Sequence, residues 1–475
     1  MPKKIGPLMI YPLLPKTNCG RCPPKVCMGF AVQLTDRSLS LEDCPPLFEE
    51  KKYEENLKKL RELLAPSVRE VIIGSKEKQV KIGGKLVLRR HELRYSNPTT
   101  IAVLIDDGMK DEDISKWIDE VNSFRYRYVG MDLTLDMLAI RSTSKDQERF
   151  EKVIKKVADK TNLPMVLWAE SSILERGLKV VEDRRPLIYA ATKDNWGEIG
   201  AIALKYKCPL AIYSPNDIKM LKSLVNTLKS WGIEDFVLDI GAAFGKDIAA
   251  TINNLTMMRI SAIEEKDELL AYPLLGIPVR IWDEENGKSP ELLSWEESCL
   301  ASMMLIRYVD MLIIRRATFW STLPLLILRN NIYNDPRKPV SVEPGLRVVG
   351  NPNEDSPVLV TSNFALTFYT VMGDIEKLDC YILVADSEGL SVESAIAGRK
   401  LTAEKIAEII RFSKIEEKIK HRTIIIPGLA ARLKGDIEDA TKWDVLVGPR
   451  DSSMIQAFLK EKWYGKDHTP GWSYK

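Results

Sequence analysis

From about residue 100 the chain repeats one pattern. Short, near-continuously apolar runs rich in β-branched residues recur as TIAVLID, LDMLAIR, PMVLWAE, PLIYAAT, PLAIYS, FVLDIG, PVRIWD and MLIIRR, beginning near positions 100, 135, 164, 186, 209, 236, 278 and 311. Parallel strands buried on both faces read this way. Stretches of helical period separate most of them, for example RFEKVIKKVADKT at 149–161 and NDIKMLKSLVNTLKSWG at 216–232. Eight strand–helix units predict a closed (β/α)8 (TIM) barrel, with an open doubly wound sheet as the alternative.

The pattern breaks after about 325 at NNIYNDPRKPVSVEPGLRVVGNPNEDSP, with prolines at 336, 339, 344, 352 and 357. This reads as a linker, a candidate hinge and the start of a new domain. Four more strand–helix units follow, with strands PVLVTSN (357–363), CYILVADSEG (380–389), RTIIIPG (422–428) and WDVLVGP (443–449). They predict an open α/β sheet, which binds ligands beyond the carboxyl ends of its strands. The glycine-containing turns there let a large flat ligand approach the backbone, although turns after helices use glycine in any case.

Ahead of the barrel, EEKKYEENLKKLRELL at 49–64 predicts a charged amphipathic helix, a solvated linker ended by Pro66. The runs VREVIIG, KQVKIGG and KLVLRR within 68–95 predict a hairpin that turns at Gly83-Gly84 and closes the barrel without chemistry.

Composition narrows the function classes. The chain has 475 residues, 45% apolar and 29% charged, ordinary for a globular protein of two or three domains. With 69 basic and 67 acidic residues the net charge is +2, which gives no reason to expect a nucleic-acid partner. No apolar run approaches the roughly 18 residues that suggest a membrane span. The start, MPKKIGPLMIYPLLPK, does not read as a secretory signal, so a cytoplasmic location is expected. Only His91, His421 and His468 occur, which disfavours metal binding by paired histidines.

Four of the seven cysteines lie in the first 44 residues: Cys19, Cys22, Cys27 and Cys44, spaced C-x2-C-x4-C-x16-C. Structural zinc usually takes two close thiolate pairs. Three ligands within nine residues and a distant fourth followed by proline favour an iron–sulfur cluster, with zinc second and disulfides third. Gly20 suits a loop in which backbone must approach a cluster. Cys208, Cys299 and Cys380 sit in or near apolar segments and read as small buried hydrophobes.

Barrel enzymes gather function where strands end. Polar residues at those ends are Asp106, Asp107, Arg141, Glu170, Asn195, Asn216, Asp239, Asp283 and Arg315. They suit a small polar substrate, and equally helix caps in the same loops.

Taken together, LPKTNCGRC…C…DCPPL, NIYNDPRKPVSVEPG, LVTSNFALTFYTV, DSEGLSVESA, IIIPGLAARLKG and VGPRD resemble, over the whole chain, the large (gamma) subunit of the corrinoid/iron–sulfur protein, as found in the archaeal acetyl-CoA decarbonylase/synthase complex. The chain departs from the family's cap at Pro23-Pro24, where a glycine is expected after the second cysteine, which leaves the loop geometry and cluster potential in question. The resemblance implies a [4Fe–4S] domain with its linker helix at 1–60, a TIM barrel at 61–325 and a Rossmann-like corrinoid-binding domain at 326–475. It implies cluster ligands Cys19, Cys22, Cys27 and Cys44. It implies corrinoid contacts from Thr361, Ser362, Asn363, Phe364, Gly389, Leu390, Pro427 and Gly428, with Asn331, Tyr333 and Arg337 for the other face. No DxHxxG motif supplies a histidine to the cobalt, so a base-off corrinoid follows.

The implied function is a methyl carrier, a component of the methyltransferase class of methyl-tetrahydropterin:corrinoid/iron–sulfur protein. A methyl group taken from a methyl-tetrahydropterin onto Co(I) passes to the acetyl-CoA synthase metal centre, and the cluster re-reduces Co(II). The implied partners are a small (delta) subunit forming a heterodimer, the acetyl-CoA synthase/CO dehydrogenase and a low-potential electron donor such as a ferredoxin. Two other readings are a self-contained methyltransferase, whose own Asp107, Asn195, Asn216 or Asp239 binds the pterin, and a non-catalytic zinc-capped scaffold.

Overall fold

A computed structural model of the chain describes residues 5–241, 247–283 and 287–464. It divides into two compact units, Met1–Tyr126 with Leu133–Asn334 and Arg127–Asp132 with Asp335–Lys475. The division falls later than the boundary expected at 325, because the helix Phe319–Tyr333 runs through that position.

In the first unit the hairpin strands are Glu70–Gly74 (β1) and Gln79–Gly83 (β2). Gly74 pairs with Gln79, so the turn is Ser75–Lys78 and not the expected Gly83-Gly84, which ends β2. The run KLVLRR forms no strand. The barrel strands are Thr100–Asp106 (β3), Met137–Arg141 (β6), Met165–Trp168 (β7), Leu187–Ala191 (β8), Leu210–Tyr213 (β9), Phe236–Asp239 (β10), Leu275–Gly276 (β11) and Met311–Ile314 (β12). Between β3 and β6 a short ribbon is made by Arg125–Tyr128 (β4) and Met131–Thr134 (β5). All eight barrel strands are parallel, in the order β10-β9-β8-β7-β6-β3-β12-β11, and a parallel bridge from Leu238 to Leu274 brings the ends together. The TIM barrel is thus nearly closed.

The seventh strand is displaced from its expected place. PVRIWD is a 3-10 helix, Pro278–Asp283, and β11 lies just before it. Val279 and Ile281 still face the core, so the run is apolar for burial and not for strand pairing. Inside the barrel Ala102, Leu104, Ala139, Val166, Ala211, Val237 and Ile313 meet Val71, Ile73 and Ile82 of the hairpin. The hairpin therefore plugs the amino-terminal end of the strands, where Arg69 and Gly74 donate to the carbonyls of Ala271 and Arg185. Just beyond it, buried Lys85 pairs with buried Asp310, which also holds Arg259 at 2.7 Å. The two cations offset the cost of burying this carboxylate.

The cap has its own core, made by Ile10, Leu14, Phe30, Ala31, Leu34 and Leu47 with Leu60 and Leu64. The last two lie on and just after the helix Glu54–Leu63, whose charged face is solvated while Leu60 is fully buried. This helix is a wall of the cap, not the free linker expected from its charge.

The second unit is a five-stranded sheet: Gly345–Val349 (β13), Val358–Ser362 (β14), Cys380–Ala385 (β15), Thr423–Ile426 (β16) and Asp444–Val447 (β17), in the order β13-β15-β14-β16-β17. The four expected strands are parallel. β13 was not legible in the proline-rich stretch and adds an antiparallel edge to β15. Chain order runs outward from β14 in both directions, to β15 on one side and to β16 and β17 on the other. The gap between β14 and β16 is therefore a topological switch point.

Candidate functional site

A cleft of about 410 Å³ opens at the carboxyl ends of β14, β16 and β17. That volume is within the usual range for small-molecule and cofactor sites. Its walls are mostly apolar, from Leu359, Ile425, Ile426, Leu429 and Phe458, with Thr361, Thr367, Ser391 and Arg450 as polar points. Of the residues expected to touch a corrinoid, Thr361 and Pro427 line it. The hydroxyls of Thr361 and neighbouring Ser362 are buried and have no hydrogen-bond partner within the chain. Buried hydroxyls without partners are costly, and of the two Thr361 is the one on the cleft wall. Gly428 lies where a side chain cannot fit: an added Cβ would stand 2.8 Å from the Arg450 nitrogen and the Gly448 carbonyl oxygen. The two loops after β16 and β17 meet backbone to backbone there.

Other expected contacts serve the shape of the site. The Asn363 side-chain oxygen accepts from the Ser387 amide (3.0 Å), the Ser387 hydroxyl (2.7 Å) and the Gly389 amide (2.9 Å). It thereby ties the end of β14 to the loop after β15. Gly389 has φ +75, and its missing side chain leaves room for Pro339. The Leu390 carbonyl closes the same loop by accepting from Ser387, and Phe364 precedes the helix Ala365–Asp374 and bridges to Ser341. Arg337 pairs with Asp335. Asn331 and Tyr333 belong to the first unit. The Asn331 carbonyl accepts from Arg90 at 2.5 Å, and the Tyr333 hydroxyl meets that of Thr99 at 3.0 Å. His421 is committed on both ring nitrogens: Nε2 donates to the Ser356 carbonyl and Nδ1 accepts from the Thr423 amide. His468 lies outside the described residues.

All seven cysteines are free thiols. Cys22, Cys27 and Cys44 are buried in the cap core, Cys19 is exposed, and Cys22 and Cys44 are hydrogen-bonded to each other. Cys27 is the first residue of the helix Cys27–Thr35, and its amide donates to the Asn18 side chain at 2.8 Å, fixing the loop between the first and third thiols. Cys44 immediately precedes the helix Pro45–Glu49. Burial pushes the Cys44 thiol up to about 12 and raises Cys22, whereas the Arg21 amide beside exposed Cys19 lowers it. Metal binding must therefore displace protons from the inner thiols. Among the described residues no three cysteine, histidine or carboxylate side chains form a ready site for a single ion. Four thiols around one apolar core, three of them sheltered, are the donor set an iron–sulfur cluster uses.

The barrel mouth holds a third cluster, and here the expected residues are mostly partnered within the chain. Asp107 is buried and accepts from the Thr143 amide (2.7 Å) and from the amide and hydroxyl of Ser144 (2.8 and 2.7 Å). Burial works to raise its carboxyl, but these donors outweigh burial and hold it low. Arg141 bridges Asp106 (2.6 Å) and Asp283 (2.8 Å). Asn195 accepts from the Thr192 amide at 2.7 Å, and Asn216 from Asn254 at 3.1 Å. Glu170 pairs with Lys145 on the surface. Buried Asp239 accepts from the Tyr189 hydroxyl (2.7 Å) and the Gly241 amide (2.8 Å). The Arg315 amide donates to Glu297 at 2.7 Å.

Sequence reasoning did not single out Trp168, Tyr189, Tyr213, Arg280 and Glu297. Arg280 donates to the Tyr189 hydroxyl, lies 3.7 Å from Asp239 and stacks over Tyr213. Aromatic residues at the ends of three successive strands were the available signal.

The fold and the paired sites define a class. Residues 70–459 match the family model described as "CO dehydrogenase/acetyl-CoA synthase delta subunit", and residues 14–46 match one described as "Putative Fe-S cluster". The N-terminal region is thus an iron–sulfur region joined to a barrel-containing subunit of that type. The chain is 43% identical to the acetyl-CoA decarbonylase/synthase complex subunit gamma of Archaeoglobus fulgidus over 97% of this chain and 99% of that one. It is 42% identical to the gamma subunit of Methanosarcina acetivorans, with 96% and 98% covered. The chain belongs to the family of acetyl-CoA decarbonylase/synthase complex gamma subunits. The delta-subunit model begins after the cysteines, whereas the gamma relatives span them. Among solved structures the chain is similar to dihydropteroate synthase from Thermus thermophilus, 13% identical, covering 56% of this chain and 100% of that one with a TM-score of 0.39.

Proposed function

We propose that the chain is a corrinoid methyl carrier of the methyltransferase class. The observation that carries this reading is the switch-point cleft, with the unpartnered buried hydroxyl of Thr361 on its wall, in the same polypeptide as a four-cysteine cap. When bound, a corrinoid would supply a cobalt able to accept a methyl group from a methyl-tetrahydropterin and to yield it to the acetyl-CoA synthase metal centre. The residues present fit such a group. Thr361 would offer a hydroxyl to it, the Pro427-Gly428 turn would let it approach backbone, and the apolar wall would exclude water. Asn363 holds the loop after β15 in register with the cleft. Cys19, Cys22, Cys27 and Cys44 would hold a [4Fe–4S] cluster that supplies single electrons for reactivation. His421, engaged on both nitrogens, leaves the cobalt without a histidine ligand from this position. The reading also places the chain in the cytoplasm of an anaerobe, in a heterodimer with a small delta subunit. Its further partners are acetyl-CoA synthase/CO dehydrogenase and a low-potential electron donor such as a ferredoxin. Among the described residues no helix is long and apolar enough to cross a membrane.

The self-contained methyltransferase reading asks for free polar groups at the barrel mouth. Asp107, Asn195 and Asp239 already have partners within the chain, and Arg280 lies over the Tyr213 ring, 3.7 Å from Asp239.

The test is an ultraviolet–visible spectrum with cobalt and iron analysis on protein purified without oxygen. About one cobalt and four iron per chain are expected for one corrinoid and one [4Fe–4S] cluster. Zinc without cobalt would replace the methyl carrier by a zinc-capped scaffold.

A further inference from the structure

We infer that the amino-terminal end of the barrel holds a small inorganic anion, of chloride size and single charge, beside the guanidinium of Arg259. Three observations carry the inference, and none depends on the corrinoid or the cluster.

Positive charge is buried there in excess. Lys85, which follows the hairpin, Arg259, on the helix Ile248–Ile263, and Asp310, just before β12, are 1, 1 and 0% exposed. Both cations pair with the same carboxylate. Arg329, which donates to the Thr99 carbonyl nearby, brings its own carboxylate, Asp136, and cancels nothing. The charged side chains that act most on the neighbouring Tyr95 hydroxyl are Arg259 and Arg90, again cations. A charge taken out of water without a counter-charge is costly.

The carboxylate is already spent, and the guanidinium is not. Asp310 Oδ1 accepts from Lys85, and Oδ2 accepts from Arg259 Nη2 (2.7 Å) and the Leu274 amide (2.8 Å). Nε and Nη1 of Arg259 are buried and have no hydrogen-bond partner among the described residues. A guanidinium only donates, so what completes it must be an acceptor. An anion supplies the acceptor and the missing negative charge together.

The chain has also turned its neutral acceptors toward these cations. Tyr308 adopts φ +74, in the left-handed region that is strained for a tyrosine. Its carbonyl accepts from Lys85 (3.4 Å) and from Arg259 (3.1 Å). The Lys85 ammonium lies 5.7 Å from the ring centres of both Tyr95 and Tyr333, where the ring faces attract a cation. These dipoles serve Lys85 more than Arg259. Because all three charged side chains are shut off from solvent, a small inorganic ion suits the place better than an organic anion. The ion neutralises the surplus and ties the segment after the hairpin to the helix Ile248–Ile263 and the start of β12.

The probe is halide, added to the full-length chain. Thermal unfolding is followed as sodium chloride or bromide replaces sodium gluconate at constant ionic strength. The melting temperature is expected to rise by about 2–4 °C, in a saturable way, because the ion binds only the folded state. In Arg259→Gln the pair Lys85–Asp310 is neutral by itself, and the halide dependence should vanish. Crystals of the unsubstituted chain grown in bromide provide a second readout that does not require the variant to fold: an anomalous peak is expected in contact with the Arg259 guanidinium. Melting indifferent to the identity of the anion, an equal halide effect in Arg259→Gln, or an ordered water where the bromide should be, would each overturn the anion site.

Discussion

The guanidinium of Arg280 stacks on the ring of Tyr213, with its central carbon 4.1 Å from the ring centre. It is also 5.6 Å from the ring centre of Trp168, and its amino group approaches buried Asp239. One side chain thus neutralises the carboxylate at the end of β10 and covers aromatic residues from three strands.

Arg280→Ala removes the cation and leaves Asp239 buried and unpaired. The expected cost at pH 7 is about 2–4 kcal/mol, since breaking a buried pair strands the remaining charge. Burial already raises the Asp239 carboxyl, and loss of Arg280 raises it further. An acid whose folded value is raised weakens folding increasingly as pH climbs above its unfolded value. The deficit should therefore be larger at pH 7 than at pH 4.5 in urea unfolding. Equal deficits at both would show that packing, not charge, was lost.

Glu297 gives a second pH signature. It is buried on the helix Pro290–Ile306, and burial pushes its carboxyl up from 4.5 to about 7 despite bonds from the Arg315 amide and the Trp282 indole. The folded state keeps this proton while the unfolded chain loses it. Stability is therefore taxed progressively as pH rises from about 4.5 to about 7, and the penalty stays complete above that. Glu297→Gln cannot ionise. Thermal melts should show wild type losing ground to the variant between pH 5 and pH 8, and parallel curves would argue that Glu297 is ionised throughout.

Thr361→Val separates ligand binding from folding. The Thr361 hydroxyl is buried without a partner, so the ligand-free protein should gain roughly 1 kcal/mol when it is removed. Cobalt retained after gel filtration should fall at the same time. A variant that is less stable and still holds full cobalt would mean that the hydroxyl is satisfied within the chain.

Leu60→Ala tests whether the charged helix belongs to the cap. Leu60 is fully buried among the residues that surround the thiols. Its truncation should cost the cap about 2–4 kcal/mol, and iron per chain should fall although every cysteine remains. A variant with undiminished iron and stability would return this helix to the status of a linker.

Much of this architecture was legible one residue type at a time. Strands buried on both faces must be apolar throughout, so seven of the eight barrel strands and all four parallel strands of the second unit stand out. PVRIWD misled because a 3-10 helix in the core needs the same apolar side chains as a strand. In the hairpin, Gly83-Gly84 resembled a turn, but cross-strand pairing of Val71 with Ile82 and Ile73 with Val80 set the register and put the turn at 75–78. β13 was hidden among prolines, and its pairing with β15 depends on a strand more than 30 residues away.

The sequence by itself determined the repeating strand–helix order, the two sheet-forming blocks and the four thiols at one end. Those features are written in local periodicity and in residue types that few others can replace. Only the tertiary structure decided which polar groups are spent and which are spare. Asp107 and Asp239 looked available along the chain, yet folding brings Ser144 and Arg280 to them. The resemblance implies Thr361 and Ser362 alike as ligand contacts, yet folding buries both hydroxyls without partners and puts only Thr361 on the cleft wall. The same non-local pairing, set by how strands and loops meet in space, divides the chain's chemistry between scaffold and site.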